Sequence, residues 1–259
     1  MSGGRGRGAM ARGAGGGRAG GGRLPRLLCL HGFQTSARIL EAQLGRAGWG
    51  RLAECRCLDA PHPSGEAPAE VLRAFPGLGP HREWWNAERL PGGDGYDYRG
   101  VDASMAAVVA ALRRAASRGE PFDGLLGFSQ GAGLAHVAMC LQGAGGQVAD
   151  PDIPPLRFAV LIGGFSSRHG GHRALLERCR VGAQPPWPGY RSVHIWGQRD
   201  PAKIGARRLA QTFPEAQALL LEHPGGHVVP ALDAADVLRV ERFLSGEPQT
   251  ARHSPTSSL

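Results

Sequence analysis

The sequence predicts one α/β domain, spanning residues 23–246, with a doubly wound and mostly parallel sheet. Three observations lead to this fold class. Short apolar runs of strand length alternate along the chain with segments of helical periodicity, which is the pattern of β-α-β units. Most of these runs are continuously apolar, as expected for parallel strands covered on both faces. A domain of about 225 residues is also large enough for one full hydrophobic core.

Residues 26–58 supply the first strands and helix. The apolar run over residues 26–30 predicts a strand buried on both faces, and it ends at His31-Gly32. A helix is predicted over residues 37–46 and a second strand over residues 52–58. Because a helix connects the two strands, we expect them to lie parallel.

Residues 59–100 have a different composition, rich in proline, glycine and aromatic residues. We expect an irregular segment, and a loop of that length inside a domain usually covers a binding site. It contains the adjacent pair Trp84 and Trp85, whose large apolar area is costly to leave in water. Two placements stay open for the pair: the edge of the core, or the lining of an apolar substrate pocket.

A regular helix is predicted next, over residues 102–117. Its apolar side chains recur at helical spacing, namely Val101, Met105, Val108, Val109 and Leu112. Asp102 is the expected N-cap, since an aspartate accepts hydrogen bonds from the first free N–H groups of a helix. This helix leads the chain into the strand that precedes the main motif.

The main motif is a Gly-x-Ser-x-Gly turn, Gly127 to Gly131, between a buried strand at residues 124–126 and an Ala-rich helix at residues 130–142. This order is that of a nucleophile elbow, which holds Ser129 out at the head of the helix. The two glycines allow close approach of backbones where a Cβ would clash. The helix N-terminus supplies free N–H groups and positive potential to an oxyanion. The alternative is a glycine-rich turn without chemistry.

The remaining chain continues the alternation of strands and helices. Strands are predicted over residues 156–162, 192–196 and 218–222, and helices over residues 205–212 and 231–244. The intervening residues 166–190, which include His169, His172 and Trp187, are expected to be irregular. In a doubly wound sheet the active site lies beyond the C-terminal ends of the strands.

This placement selects the partners of Ser129. A nucleophilic hydroxyl needs a neutral imidazole as base, and a carboxylate to fix the tautomer of that imidazole. His227 follows the last predicted strand in a Gly-Gly-His loop, and Asp200 follows the strand before it. Asp123 precedes its strand and belongs at the opposite end of the sheet. The order Ser129, Asp200, His227 is the chain order of an α/β-hydrolase.

Other histidines fit the role of base less well. His194 lies within a strand, and His136 lies on the helix after the elbow and points away from it. His62, His169 and His172 lie in loops, and position alone leaves all three open as candidates.

Two backbone N–H groups are candidates for an oxyanion hole. One belongs to Gln130, immediately after the serine. The other follows the first strand, where hydrolases of this architecture place a second donor. We assign it to Phe33, with Gln34 as second choice. The alternative for His31-Gly32 is a tight exit from the strand.

Residues 1–22 are almost wholly Gly, Arg and Ala and contain no acid, so we predict a disordered tail there, and a second one at residues 247–259. The chain carries a formal net charge of +8, and six of its arginines precede residue 27. Residues 1–26 therefore supply most of the net charge of the chain. A dispensable extension, an organellar transit segment and an RNA-binding arm all fit this composition. Nucleic acid is the less favoured partner, because stacking aromatic residues are missing among the arginines.

The five cysteines have no C-x-x-C spacing, which indicates a reducing compartment with neither a disulfide framework nor a zinc site. We expect Cys29 and Cys140 to be buried, and Cys55 and Cys57 to share one face of a strand. An apolar run of about 18 residues is missing, so no membrane span is predicted. We expect a cytoplasmic protein, and the tail keeps the nucleus or an organelle open.

Four blocks of the sequence together resemble one family, the serine hydrolases that include the ovarian-cancer-associated esterases and their fungal and plant relatives. These blocks are Leu28 to Phe33, Asp59 to His62, Pro121 to Gly131 and Gly225 to Pro230. The resemblance implies a small α/β-hydrolase without a metal or organic cofactor, cleaving carboxylic esters that often have apolar acyl chains. It also implies the triad Ser129, Asp200 and His227.

Two other functions remain open beside a carboxylesterase. A thioesterase or acyltransferase is the nearest, because the same acyl-enzyme can transfer to another acceptor. A non-catalytic ligand-binding or interaction module comes from a different class, since a fold does not fix a function. The expected partner is a small-molecule ester, and the sequence carries no signal for an oligomeric state.

Overall fold

A computed structural model of the chain describes residues 23–92, 95–180 and 191–246. The two predicted tails and Trp187 lie outside the described residues. The elements, in chain order, are β1 Arg26–Leu30, α1 Ala37–Arg46, β2 Glu54–Leu58, β3 His62–Pro63, α2 Ala69–Ala74, β4 Arg82–Glu83, β5 Asn86–Arg89, β6 Tyr96–Arg99, α3 Val101–Ser117, β7 Gly124–Phe128, α4 Gln130–Gly143, β8 Phe158–Ile162, α5 Arg173–Arg178, β9 Arg191–Gly197, α6 Lys203–Ala210, β10 Ala218–His223 and α7 Ala234–Ser245.

Six strands form the central sheet in the order β10-β9-β8-β7-β1-β2. All neighbouring pairs are parallel, and Cys29 in β1 pairs with Cys57 of β2 on one side and Leu126 of β7 on the other. Every residue of β1, β7 and β8 is buried. The continuously apolar runs therefore correctly predicted that these strands are covered on both faces.

Helices cover both faces of the sheet, which confirms the doubly wound architecture. Leu27 and Cys29 of β1 join the hydrophobic cluster that includes side chains of α1 and α7. Leu28 and Leu30 point the other way, into the cluster that includes side chains of α3 and α4. This division follows from the two-residue period of a strand, which sends successive side chains to opposite faces.

Residues 59–100 are more ordered than the sequence predicts. They contain α2 and two small antiparallel sheets, β3–β4 and β5–β6. Helix α3 then begins at Val101, and its N-cap is Gly100 rather than Asp102, which lies in the first turn. Gly100 has φ 89°, and a Cβ there would collide with the His62 ring. A residue with positive φ that contacts a neighbouring ring must be glycine. The N-cap position of α3 therefore has no room for an aspartate side chain.

Other differences concern the ends of elements. Strand β2 begins at Glu54 and β8 at Phe158, each two residues later than predicted. Helix α7 begins at Ala234 because the Asp233 side chain caps it, accepting from the Asp236 N–H at 2.8 Å. Within the predicted irregular stretch 166–190, residues 173–178 form α5.

All five cysteines are free thiols, with Cys29 and Cys140 buried as predicted. Among the described residues, none of the helices combines the length and the apolar character that a membrane crossing demands.

Candidate active site

Ser129 occupies a strained turn between β7 and α4. Its backbone has φ 54° and ψ −114°, and it is one of two described non-glycine residues with positive φ. The turn is held from both sides, since the Ser129 N–H donates to the Ile162 carbonyl at 2.9 Å and the Ser129 carbonyl accepts from the Ala132 N–H at 3.0 Å. The hydroxyl does not cap the helix. This is the backbone geometry of a nucleophile elbow, in which strain keeps the serine exposed to substrate.

The two glycines of the motif are required by the close approach of backbones. A Cβ on Gly127 would collide with the backbone of Gly131 and Ala132, and a Cβ on Gly131 would collide with the carbonyl of Leu30. The turn therefore packs against the end of β1, as the Gly-x-Ser-x-Gly spacing predicts.

Asp200 and His227 form a hydrogen-bonded pair. Asp200 follows β9 with its side chain only 2% exposed, and its Oδ2 accepts from His227 Nδ1 at 2.8 Å. Its other oxygen accepts from the Ala202 N–H at 2.7 Å, so both oxygens are fixed. Because Nδ1 donates to a carboxylate, the neutral ring has its lone pair on Nε2. That nitrogen is then the proton acceptor.

The His227 ring lies against the residue that precedes the serine. Its centroid is 4.8 Å from that of Phe128, with the rings tilted by 32°. Gly32 also packs against these residues: a Cβ there would be 3.2 Å from the Phe128 ring and 3.6 Å from the Ser129 Cβ. The three predicted triad residues thus lie beyond the C-terminal ends of β7, β9 and β10, at one edge of the sheet.

The two predicted oxyanion donors belong to the residues Phe33 and Gln130. Phe33 follows β1, and its side chain is exposed. Gln130 is the first residue of α4, where a helix leaves N–H groups without an internal partner. Among the described residues, neither of these two N–H groups donates to a protein acceptor. Gln34, the second choice, has φ 53°.

His31 positions the loop that carries Phe33, a role that sequence analysis missed. Its Nδ1 donates to the Gly32 carbonyl at 2.8 Å, and its Nε2 accepts from the Ala60 N–H at 3.0 Å. Burial lowers the pKa of His31, so the ring is neutral. A histidine at the end of a buried strand was the available signal, since such a position demands partners for both nitrogens.

The Gln130 side chain connects the elbow to the segment before it. Its Oε1 accepts from the Trp84 N–H at 2.9 Å, and its Nε2 donates to the Trp85 carbonyl at 2.8 Å. This contact joins residues that are far apart in the sequence, and no local pattern indicates it.

Trp84 and Trp85 are both buried. The Trp84 indole donates to the His31 carbonyl at 2.8 Å. Trp85 stacks on Tyr98 with ring centroids 4.6 Å apart, and its indole lies against Gly133 in the first turn of α4. This burial supports the core placement of the pair, and the role in a substrate pocket stays a prediction.

The other candidates lie away from the serine or are already engaged. His194 is buried within β9 and bonds the Ser192 hydroxyl at 2.9 Å. Asp123 precedes β7 and accepts from the Arg26 N–H at 2.8 Å and the Arg23 guanidinium at 2.7 Å, at the N-terminal end of the sheet. Within the three described ranges, histidine, cysteine and acidic side chains form no group of three that fits a metal ion.

A strained serine at the head of a helix, with a His–Asp pair beyond neighbouring parallel strands, is the arrangement of a serine hydrolase with the α/β-hydrolase fold. The comparison with protein families agrees with this class. The family described as Serine hydrolase (FSH1) matches residues 23–237, and the chain belongs to that family.

Several relatives and solved structures are similar to this chain. Esterase OVCA2 of Homo sapiens is 36% identical over 224 residues, covering 80% of this chain and 89% of that protein. Esterase pigG of Monascus ruber is 31% identical and covers 80% and 85%. Acyl-protein thioesterase 2 of Zea mays superposes with a TM-score of 0.56 at 19% identity, covering 88% of this chain and 96% of that one. A carboxylesterase from Mesorhizobium loti gives 0.52 at 20% identity, covering 86% and 88%. At these identities the two structures support the fold alone.

Proposed function

We propose that the protein is a carboxylesterase that works through an acyl-enzyme on Ser129. The observation that carries this proposal is the 2.8 Å hydrogen bond from His227 Nδ1 to the buried Asp200, at the same sheet edge as the strained serine. The bond leaves Nε2 of a neutral imidazole free to accept a proton. The sequence relatives described above are esterases, which also supports ester cleavage.

In the first half of the reaction, Ser129 Oγ attacks the ester carbonyl while His227 Nε2 takes the hydroxyl proton. Asp200 stabilises the imidazolium that forms. The N–H groups of Phe33 and Gln130 donate to the tetrahedral oxyanion, and loss of one such donor typically costs about 3 kcal/mol of barrier. His227 then returns the proton to the leaving alcohol.

In the second half, water replaces the alcohol. His227 Nε2 takes a proton from water as it attacks the acyl-enzyme carbonyl, and the same two N–H groups hold the second oxyanion. The proton then returns to Ser129 Oγ, and the carboxylic acid leaves. Phe165 and Trp85 pack beside the first turn of α4, and we expect an apolar acyl chain to lie against this aromatic surface.

A fluorophosphonate probe tests the nucleophile. We expect the native protein to be labelled and Ser129→Ala to remain unlabelled. Ser117→Ala, at the exposed end of α3, is the matched control and should label like the native protein. Labelling of Ser129→Ala at the native rate would refute the proposal. Esters and thioesters with the same acyl chain, assayed side by side, distinguish the carboxylesterase from a thioesterase.

A further inference from the structure

A cavity of about 680 Å³ lies between β6, the residues after β8, α5 and α6. Five arginines line it, namely Arg89, Arg168, Arg173, Arg180 and Arg208. Glu177 is the single carboxylate among the described residues of its wall. None of the three triad residues lines it. A concave surface with this excess of positive charge attracts anions.

The structure holds one of these arginines in place. The Arg168 guanidinium carbon lies 4.2 Å from the centroid of the Tyr96 ring. Its backbone is fixed as well, since the Arg168 N–H donates to the Tyr98 hydroxyl at 3.1 Å and its carbonyl accepts from the Tyr96 N–H at 3.1 Å. A planar guanidinium that is held by stacking presents its donors in a fixed fork, which matches a carboxylate or phosphate.

His136 is a buried and uncharged part of the same wall. Its side chain is part of the cavity wall and is nine-tenths or more buried, at 3% exposure. Its Nδ1 has no hydrogen-bond partner among the described residues, while its Nε2 lies 3.6 Å from Cys140 Sγ. Burial lowers the pKa of His136 to about 4, so the ring is neutral at pH 7. The His136 ring packs against Phe213, with ring centroids 5.5 Å apart, and so forms a neutral part of the wall that carries no opposing charge.

The cavity lies within reach of a substrate attached to Ser129. Ser166 is part of its wall, and the Ile162 carbonyl, four residues earlier, accepts from the Ser129 N–H. Four residues span at most about 14 Å. Phe165, the residue before Ser166, lies against Gly133 in the first turn of α4. An apolar chain of the substrate would pass this ring on its way from the serine to the arginines.

We propose that this cavity binds the anionic end of the ester substrate, a carboxylate or phosphate that an apolar chain separates from the reacting ester. The inference rests on the proposed esterase function and adds the substrate class. The arginines supply charge and bidentate donors, and the ester carbonyl lies at Ser129.

A matched pair of esters tests the proposal: mono-4-nitrophenyl suberate and 4-nitrophenyl octanoate, which differ in a terminal carboxylate. The double variant Arg168→Gln/Arg208→Gln should lower kcat/KM for the suberate ester on the order of tenfold. It should leave the octanoate value within about twofold, because the neutral chain makes no charged contact. Arg118→Gln removes the same charge at the other end of the sheet and should change neither value. Equal effects on both esters would overturn the proposal.

A binding measurement separates this inference from the esterase assignment. Calorimetric titration of Ser129→Ala with suberate and with octyl phosphate requires no turnover, and 1-octanol is the neutral control. We expect at least one anion to bind, and the two arginine substitutions should lower its affinity on the order of tenfold. The anion that binds more tightly shows whether the site prefers a carboxylate or a phosphate. Binding that does not depend on the arginines, or no binding of either anion, would refute the anionic site. Arginine-dependent binding in a protein that hydrolyses neither ester would refute the esterase and retain the site.

Discussion

Gly163 and His227 are in such close contact that a Cβ on Gly163 would lie 2.8 Å from Cε1 of the imidazole. The same atom would lie 3.4 Å from Asp200 Oδ2. Gly163 follows β8 and has φ 55°, a conformation that residues with a side chain rarely adopt. The end of β8 therefore determines where the His–Asp pair lies relative to the serine.

Gly163→Ala should lower kcat for ester hydrolysis about 10²-fold, because displacement of the base by even 1 Å has an effect of that size. Gly45→Ala is the matched control: apart from its chain neighbours and the backbone of α1, no atom lies within 4 Å of a Cβ at that position. It should keep full activity and raise the free energy of unfolding by about 0.5–1 kcal/mol. A folded Gly163→Ala protein with native kcat would contradict the role given to this contact.

Asp200→Asn should lower kcat by orders of magnitude, since an amide favours the wrong tautomer of His227; the corresponding change in a well-studied protease lowers kcat about 10⁴-fold. Asp123→Asn supplies the comparison. Asp123 bonds the Arg26 N–H and the Arg157 guanidinium, so its loss should lower stability by about 1–3 kcal/mol and leave kcat nearly unchanged. If Asp123→Asn were the inactive variant, the assignment of the acid would be wrong.

Trp84→Ala should lower the free energy of unfolding by about 3–5 kcal/mol, because a fully buried ring is removed. It should also lower kcat/KM for all acyl chain lengths together, since the indole that donates to the His31 carbonyl supports the Phe33 loop. Thermal melts and a series of 4-nitrophenyl esters measure both effects. The same series on Trp85→Ala tests the pocket: loss confined to long chains would assign Trp85 to substrate binding, at about 0.8 kcal/mol per buried CH₂.

The buried histidines predict how stability depends on pH. Burial lowers the pKa of His136 to about 4 and that of His194 to about 3, below the ordinary value of 6.5. Between pH 6.5 and 4 the unfolded chain binds protons that the folded protein does not. Stability is therefore present above pH 6.5 and falls as the pH decreases through this window, by up to about 1.4 kcal/mol per pH unit for each group. The free energy of unfolding, measured by urea denaturation at pH 7, 6 and 5, should decrease less steeply with falling pH in His194→Gln than in the native protein. The same decrease in both proteins would contradict this origin.

The sequence predicts the core of this fold and the triad because both depend on local patterns. Continuous apolar runs identify β1 and β8, and the strand-turn-helix order identifies Ser129. Asp200 and His227 follow from their positions after two strands. The tails, the compartment and the roles of the site residues stay predictions.

Two parts of the structure have no local signal. Residues 59–100 fold into small sheets whose pairing depends on tertiary contacts, such as the hydrogen bond from Arg82 N–H to the Thr35 carbonyl at 2.7 Å. The cavity arginines come from segments that the sequence analysis assigned to irregular stretches or to a helix. Their convergence appears only when β6, α5 and α6 are packed together.

The Gln130 side chain gives the catalytic centre a spectroscopic reporter. Its side-chain oxygen accepts a hydrogen bond from the Trp84 backbone N–H. That proton exchanges with deuterium only when this hydrogen bond opens. The exchange rate of that proton therefore measures how often the head of α4 separates from the preceding segment. It can be read by NMR in an inactive protein, without any substrate.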